Sequence, residues 1–356
     1  MLPTTCFRLV MPIALLLVLL TSGANAQNSP MVLNTTWQAE ETTFNAWYAK
    51  EKGWDKELGL ELKLHMFDSG MAQVEALPAK QWVLGATGGV PMMLAALRHD
   101  AYLIGIGDDD SLANAVLVRP DSPILKTKGF NPQYPEVYGH PDDVKGKTIL
   151  VTTISSGHYA MSLWLKSLGL TDKDVVVKNM DPAQALAAFE KGIGDAVVLW
   201  APLLYNGFKK DWKVASDVRK AGGFVPIVLI GDKKFCDENP EVVARFLKIM
   251  FRGIDMLRQE GVKLTPEYAR FLKWAGLQMA EDEARMDLQM HPVYTLEEQL
   301  RMFDSSKGES QVQAWQKDLV KFFTGLGKLK PAEGEKLQPG LYITDKFLKM
   351  VPNVKD

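Results

Sequence analysis

The residues best placed to do chemistry in this 356-residue chain are small, hydroxylic and acidic rather than nucleophilic or metal-binding. Thr36-Trp37-Gln38-Ala39-Glu40-Glu41, Asp68-Ser69-Gly70-Met71, Thr87-Gly88-Gly89 and Ser155-Ser156-Gly157-His158-Tyr159 each stand where a strand-type run gives way to a helical one. Small residues there let backbone N–H groups approach an anion, and the helix dipole favours negative charge at that end. Routine helix capping uses the same residue types, so each loop alone supports both roles. Their recurrence at matching strand ends is what points to a ligand cleft. Trp37 and Trp200 also follow strands, where they could sandwich an apolar or cationic part of a ligand or else fill the core. Glu40, Glu41, Asp108, Asp109, Asp110 and Asp181 gather carboxylates at the same mouth. Facing helix N-termini, they would suit a zwitterion such as an amino acid or aminosulfonate; their plainer role is solvated loop charge.

Other chemistries fail on spacing. The five histidines, His65, His99, His140, His158 and His291, show no zinc-type pattern. Gly146-Lys147-Thr148 ends like a phosphate-binding loop, but Pro141 stands where its first glycine must be. Gly105 and Gly107 begin a dinucleotide fingerprint that Asp110 breaks. No Gly-x-Ser-x-Gly elbow occurs. His158 beside Ser155 and Ser156 reads as a hydrogen-bond donor to ligand or a helix-start residue, not the base of a nucleophile. No catalytic residue, metal or cofactor is expected. A formal charge of −2 argues against a nucleic-acid partner, and two cysteines are too few for a disulfide framework.

The elements that must position these loops alternate strand and helix, as in α/β layering with mainly parallel sheets. The spacing predicts strands at 31–36, 60–67, 82–86 and 102–106, with helices at 41–51, from 74 and at 92–97. A second series repeats the plan, with strands at 148–152, 175–179 and 196–199 and helices through 161–165 and 183–190. The composition, 47% hydrophobic and 24% charged, is ordinary for two globular lobes. Apolar runs at 116–118 and 224–230 read as strands crossing between the lobes. From Pro240 the pattern changes to long helices at 242–257, 266–274, 297–303 and 311–323. Arg8, a dozen apolar residues and Ala24-Asn25-Ala26 read as a cleaved export signal, too short to span a bilayer. The expected division is 1–26 signal peptide, 27–118 plus 226–356 lobe one, and 119–225 lobe two.

The segments 37–53, Phe67-Asp68-Ser69-Gly70, Gly85 to Pro91, Val118 to Pro123, Ser155 to Tyr159, Ala188 to Gly192 and Asp195 to Pro202 together carry a resemblance. The chain resembles exported solute-binding proteins of ABC transporters, of the nitrate/sulfonate/taurine-type group, over about residues 31–260. The resemblance implies the type II periplasmic binding fold, α/β, with two Rossmann-like lobes, a hinge of two crossing strands and a helical C-terminal extension on lobe one. It implies capture of one small solute by hinge closure, without chemistry, in the periplasm. Its partners would be the small-molecule ligand and a membrane permease driven by a separate ATPase, with the binding protein a monomer. By position in that family, Trp37, Glu41, Ser69, Thr87, Ser155, His158, Asp181 and Trp200 would line the cleft. The loops add Gly70, Met71, Gly88, Asp108, Ser156 and Gly157. The acidic clusters argue for a zwitterionic or organic anionic solute, of taurine, sulfonate or amino-acid type, over nitrate. Two rivals share the fold: an enzyme like the thiamine-pyrimidine synthases, which use a Cys-rich iron motif and a self-consumed His, and a ligand-sensing partner of a membrane receptor.

Overall fold

Ten strands alternate with helices in the computed structural model, which describes residue 1 and residues 29–355. The expected signal at 1–26 lies outside the described residues. The strands are β1 (Met31–Trp37), β2 (Leu60–Met66), β3 (Leu84–Gly88), β4 (Ala101–Asp109), β5 (Asn114–Val118), β6 (Thr148–Val151), β7 (Val176–Asn179), β8 (Ala196–Trp200), β9 (Lys213–Asp217) and β10 (Pro226–Asp232).

Two five-stranded sheets result, ordered β2-β1-β3-β10-β4 and β7-β6-β8-β5-β9. They match position for position. Each takes four strands from one series and inserts one antiparallel strand from the other half of the chain, β10 beside β3 and β4, β5 beside β8 and β9. The inserted strands are buried along their whole length, and their near-continuous apolar sequences follow from that. Edge strands β2 and β7 carry exposed polar positions instead.

The apolar run 116–118, expected to cross between the lobes, lies instead inside the second sheet. Asn114–Val118 pairs with β8 and β9 inside the second sheet, because five buried side chains need a sheet on either side. The crossing falls just before it, at 110–113, and the return just before β10. These crossings are tied together: the Asp110 N–H donates to the Val225 carbonyl at 2.9 Å, and the Val225 N–H donates to the Ser111 hydroxyl at 2.9 Å.

Of the C-terminal helices Pro240–Glu260, Thr265–Trp274, Glu281–Met290, Leu296–Phe303 and Gln311–Gly325, the first packs on β4, the second on helix Glu41–Lys52 and the last on helix Gly89–His99, while Glu281–Met290 reaches the second lobe through Asp287 and Tyr205. Edge strand β4 is covered rather than left open. The Gln299 carboxamide accepts from the Ile106 N–H at 2.8 Å and donates to its carbonyl at 2.7 Å, while the Thr344 N–H reaches the Leu103 carbonyl at 3.1 Å. Among the described residues no helix is long and apolar enough to cross a membrane.

Candidate functional site

The matched sheet orders bring equivalent strand ends face to face, and a cleft of about 250 Å³ opens between them. Its first-lobe wall is built from residues that follow β1, β2 and β3: Gln38 and Glu40, then Ser69 to Met71, then Gly88 and Pro91. Its second-lobe wall follows β6, β7 and β8: 152–156, then Asn179, Asp181 and Pro182, then Trp200. Asp110 and Ile227 close it beside the crossings. This is where open α/β sheets hold ligands.

The second-lobe wall presents a helix N-terminus. Ser155 caps helix Ser156–Ser167: its hydroxyl accepts from the His158 N–H at 3.2 Å and donates to the Thr152 carbonyl at 2.6 Å. That hydroxyl is therefore committed, whereas the Ser156 hydroxyl makes no hydrogen bond among the described residues. The Ser156 and Gly157 amides lie in the first turn, where no carbonyl of the helix can reach them. The Trp200 indole lies over this turn, 3.4 Å from where a Cβ on Gly157 would sit. The Ala201–Pro202 peptide that follows is cis.

On the first-lobe wall Ser69 caps helix Gly70–Ala76 through the Ala72 N–H at 3.3 Å. Gly70 admits Pro91 directly, since a Cβ there would lie 2.3 Å from the proline Cγ. Gly88, at the start of helix Gly89–His99, comes close to Ser156 across the cleft, a Cβ on it falling 3.2 Å from the serine Oγ.

Behind this wall sits a buried acidic group. The Asp108 carboxylate takes the Thr42 hydroxyl, and Asp110 takes the Asn114 amide and lies 3.2 Å from His291 Nε2. His291 Nδ1 is 2.8 Å from the Asp287 carbonyl, and the Asp287 carboxylate accepts from the hydroxyls of Tyr205 and Tyr268. One oxygen each of Glu40, Glu41 and Asp108 is buried without a partner among the described residues. Burial, reinforced by Asp108 and Asp110, holds the Glu40 carboxyl well above the usual range. Burial and Asp108 do the same to Glu41, and burial lifts Asp108 to about 7 and raises Asp110. Burial opposes charge on His291, but Asp287, Asp110 and Asp108 outweigh it and hold the imidazole well above its ordinary value. Among the described residues no group of His, Cys, Asp or Glu is arranged to hold a metal ion.

Of the residues singled out from sequence, Gln38, Glu40, Ser69, Gly70, Met71, Gly88, Asp110, Ser155, Ser156, Asp181 and Trp200 border the cleft. The rest do not, Asp109 among them, which is buried and paired with Arg219. Trp37 is 0% exposed, its indole N–H donating to Thr35 Oγ1 at 2.7 Å and its ring tilted against Phe246. Thr87 is buried behind Gly70, and Gly157 beneath Trp200. Glu41 and Asp108 face one another in the acidic group rather than the opening. His158 is also buried, both ring nitrogens spent on Ile154 and Asp172, so it cannot serve as a donor to ligand. Pro91, Thr152, Thr153, Ile154, Asn179, Pro182 and Ile227 were not singled out and do border it. Each but Ile227, which lies at the start of β10, sits at or within a few residues past the carboxyl end of a strand, so reading every such loop to its full length would have found them.

A family model described as NMT1/THI5 like matches residues 42–261. A protein of Brachyspira hyodysenteriae named as an ABC transporter periplasmic binding protein is 26% identical over 68% of this chain and 70% of its own. The taurine-binding periplasmic protein of Escherichia coli is 29% identical over 54% of this chain, and the match spans just over half of that relative, 56%. Among solved structures, the periplasmic aliphatic sulphonate binding protein SsuA from Escherichia coli superposes with a TM-score of 0.67 at 20% identity, covering 88% of this chain and 99% of that one.

Proposed function

The chain belongs to the NMT1/THI5-like family, and from that premise we propose that it is a periplasmic solute-binding protein that carries out no chemistry. It captures a small zwitterionic or anionic organic solute, of taurine, sulfonate or amino-acid type. It delivers that solute to an ABC importer, a membrane permease worked by a separate ATPase. The names of the relatives in Brachyspira hyodysenteriae and Escherichia coli support the role and the compartment.

One observation carries the choice of solute. A single cleft of about 250 Å³ sets the open N-terminus of helix Ser156–Ser167 on one wall and the Glu40 and Asp110 carboxyls on the other. The helix start favours an anionic head and the carboxyls a cationic one. Trp200 offers its face to the short chain between them. A solute gripped by both walls is bound only when the lobes are together, so it shifts the population towards the closed form.

Calorimetry and thermal shift with taurine, short amino acids and ethanesulfonate test this reading. A zwitterion that raises the melting temperature by mass action, and is recovered unaltered by NMR, supports it. Failure of the whole panel to bind, or recovery of a transformed solute, overturns it.

A further inference from the structure

We propose that His158 is a positioning residue of the cleft: without touching the solute, it holds the loop 152–156 in the conformation that faces it. The loop statement stands on its own geometry; its consequence for affinity rests on the proposed function.

Ile154 borders the cleft with φ +58°, a left-handed conformation that a β-branched side chain strongly resists. Its N–H donates to His158 Nδ1 at 3.1 Å. A nitrogen that accepts carries no proton, so the ring proton is on Nε2, which lies 2.7 Å from Asp172 Oδ2. The other Asp172 oxygen accepts from the Ser162 hydroxyl at 2.7 Å, one turn along the helix that carries His158. The imidazole is thus fixed at both nitrogens and is 1% exposed. Its neighbours in the loop are held differently. The Thr153 N–H and hydroxyl both reach Asn179 Oδ1, at 2.8 and 3.0 Å, and Ser155 closes on Thr152. Among the described residues only His158 accepts from the strained amide.

The ring also stands at a seam between the two halves. It meets Phe323 edge-on at 6.0 Å, and Tyr159 meets Phe322 at 5.0 Å. Both phenylalanines belong to helix Gln311–Gly325, which is fixed to the first lobe through the Gln316 amide on the Gly89 carbonyl at 3.2 Å. The side chain that braces the second lobe's cleft loop is therefore itself packed by a helix held to the first lobe.

Two substitutions separate this role from that of a merely buried histidine. In His158→Asn the amide oxygen takes the place of Nδ1 and can still accept from Ile154. In His158→Gln the polar group falls at the Nε2 position and the acceptor is lost. In ligand-free protein the Ile154 amide is expected to exchange slowly with D₂O in wild type and His158→Asn, and at least about tenfold faster in His158→Gln. Taurine affinity is expected to fall about tenfold in His158→Gln and only about threefold in His158→Asn. Adding Ile154→Gly to His158→Gln should recover most of the loss, because glycine adopts the left-handed conformation without steric cost. Equal exchange in the two histidine variants, or a ¹⁵N spectrum of the wild type placing the ring proton on Nδ1, overturns the proposal. Both readings need no ligand, so they are distinct from failure of taurine to bind, which would strike the proposed function alone.

Discussion

His291 and Asp110 meet at 3.2 Å, Nε2 to Oδ1, one residue inside the cleft wall. Asp110 borders the cleft, while His291 shares a small void beneath it with Glu40 and Trp200. Among the described residues the imidazole is the one cationic group acting on Glu40, Glu41, Asp108 and Asp110. Without a further positive charge these carboxyls repel one another, and protons or a solute cation must make up the difference.

The stability of the ligand-free protein should therefore record the protons. The Asp108 carboxyl is lifted by burial from 3.8 to about 7. A raised acid contributes stability that is complete below its unfolded value and is lost as pH climbs through the folded one. Asp108→Asn keeps an acceptor for the Thr42 hydroxyl and removes the charge. Relative to wild type, the variant should gain about 2–3 kcal/mol between about pH 5 and about pH 8, at about 1.4 kcal/mol per unit. Urea unfolding at the two pH values measures it; a difference that stays constant with pH refutes the charge assignment.

The selectivity for a cationic nitrogen should reside in Glu40. One of its oxygens is buried and has no partner among the described residues, although the residue borders the cleft. Glu40→Gln preserves shape and removes charge. Taurine binding should weaken by about 1.5–3 kcal/mol, the scale of a hydrogen bond to a charged group, while ethanesulfonate holds or gains. The ratio of the two calorimetric affinities is the readout, and a parallel change in both would show that Glu40 does not sense the amine.

The twin series was legible because buried parallel strands and amphipathic helices leave their periods in the sequence, and the matching sheet orders follow from them. What was not legible depends on burial from both sides. Val116 to Val118 reads as an apolar run whether it crosses between lobes or lies between β8 and β9. Glu281–Met290 begins with three acids that mask its apolar face, though Glu283 caps the Ala280 N–H at 2.8 Å. Gly107 looks like half of a nucleotide fingerprint; its role is steric, since a Cβ there would fall 2.3 Å from Thr42 Oγ1. Trp37 and Trp200 each end a strand, β1 in one sheet and β8 in the other, and only packing decides which reaches the cleft. Phe246, from a helix over 200 residues away, covers the first.

Gly85 is the point at which β1 and β3 can least tolerate a side chain. It has φ +153°, and a Cβ on it would stand 2.1 Å from the Thr36 carbonyl oxygen, a backbone atom that cannot rotate away. Gly85→Ala must either part the strands or shift their register, and it should cost about 3 kcal/mol or more. A fall in the urea midpoint measures this, and a loss under about 1 kcal/mol would mean that the pairing Thr36–Gly85 yields without resistance.

Trp200 separates solute contact from structural support. Its ring rests on the first turn of helix Ser156–Ser167, and it is partly exposed within the cleft while the preceding four residues of β8 are buried. A ring that supports the lobe would, on Trp200→Ala, cost about 3–5 kcal/mol of stability. A ring that covers a solute would cost little stability and at least about tenfold in affinity, because the cation and the short chain lose an aromatic face and the helix start is opened to water. The second pattern is expected. A variant with unchanged calorimetric affinity and a sharply lowered melting temperature would return Trp200 to the core and leave the opposite charges of the cleft to hold the solute alone.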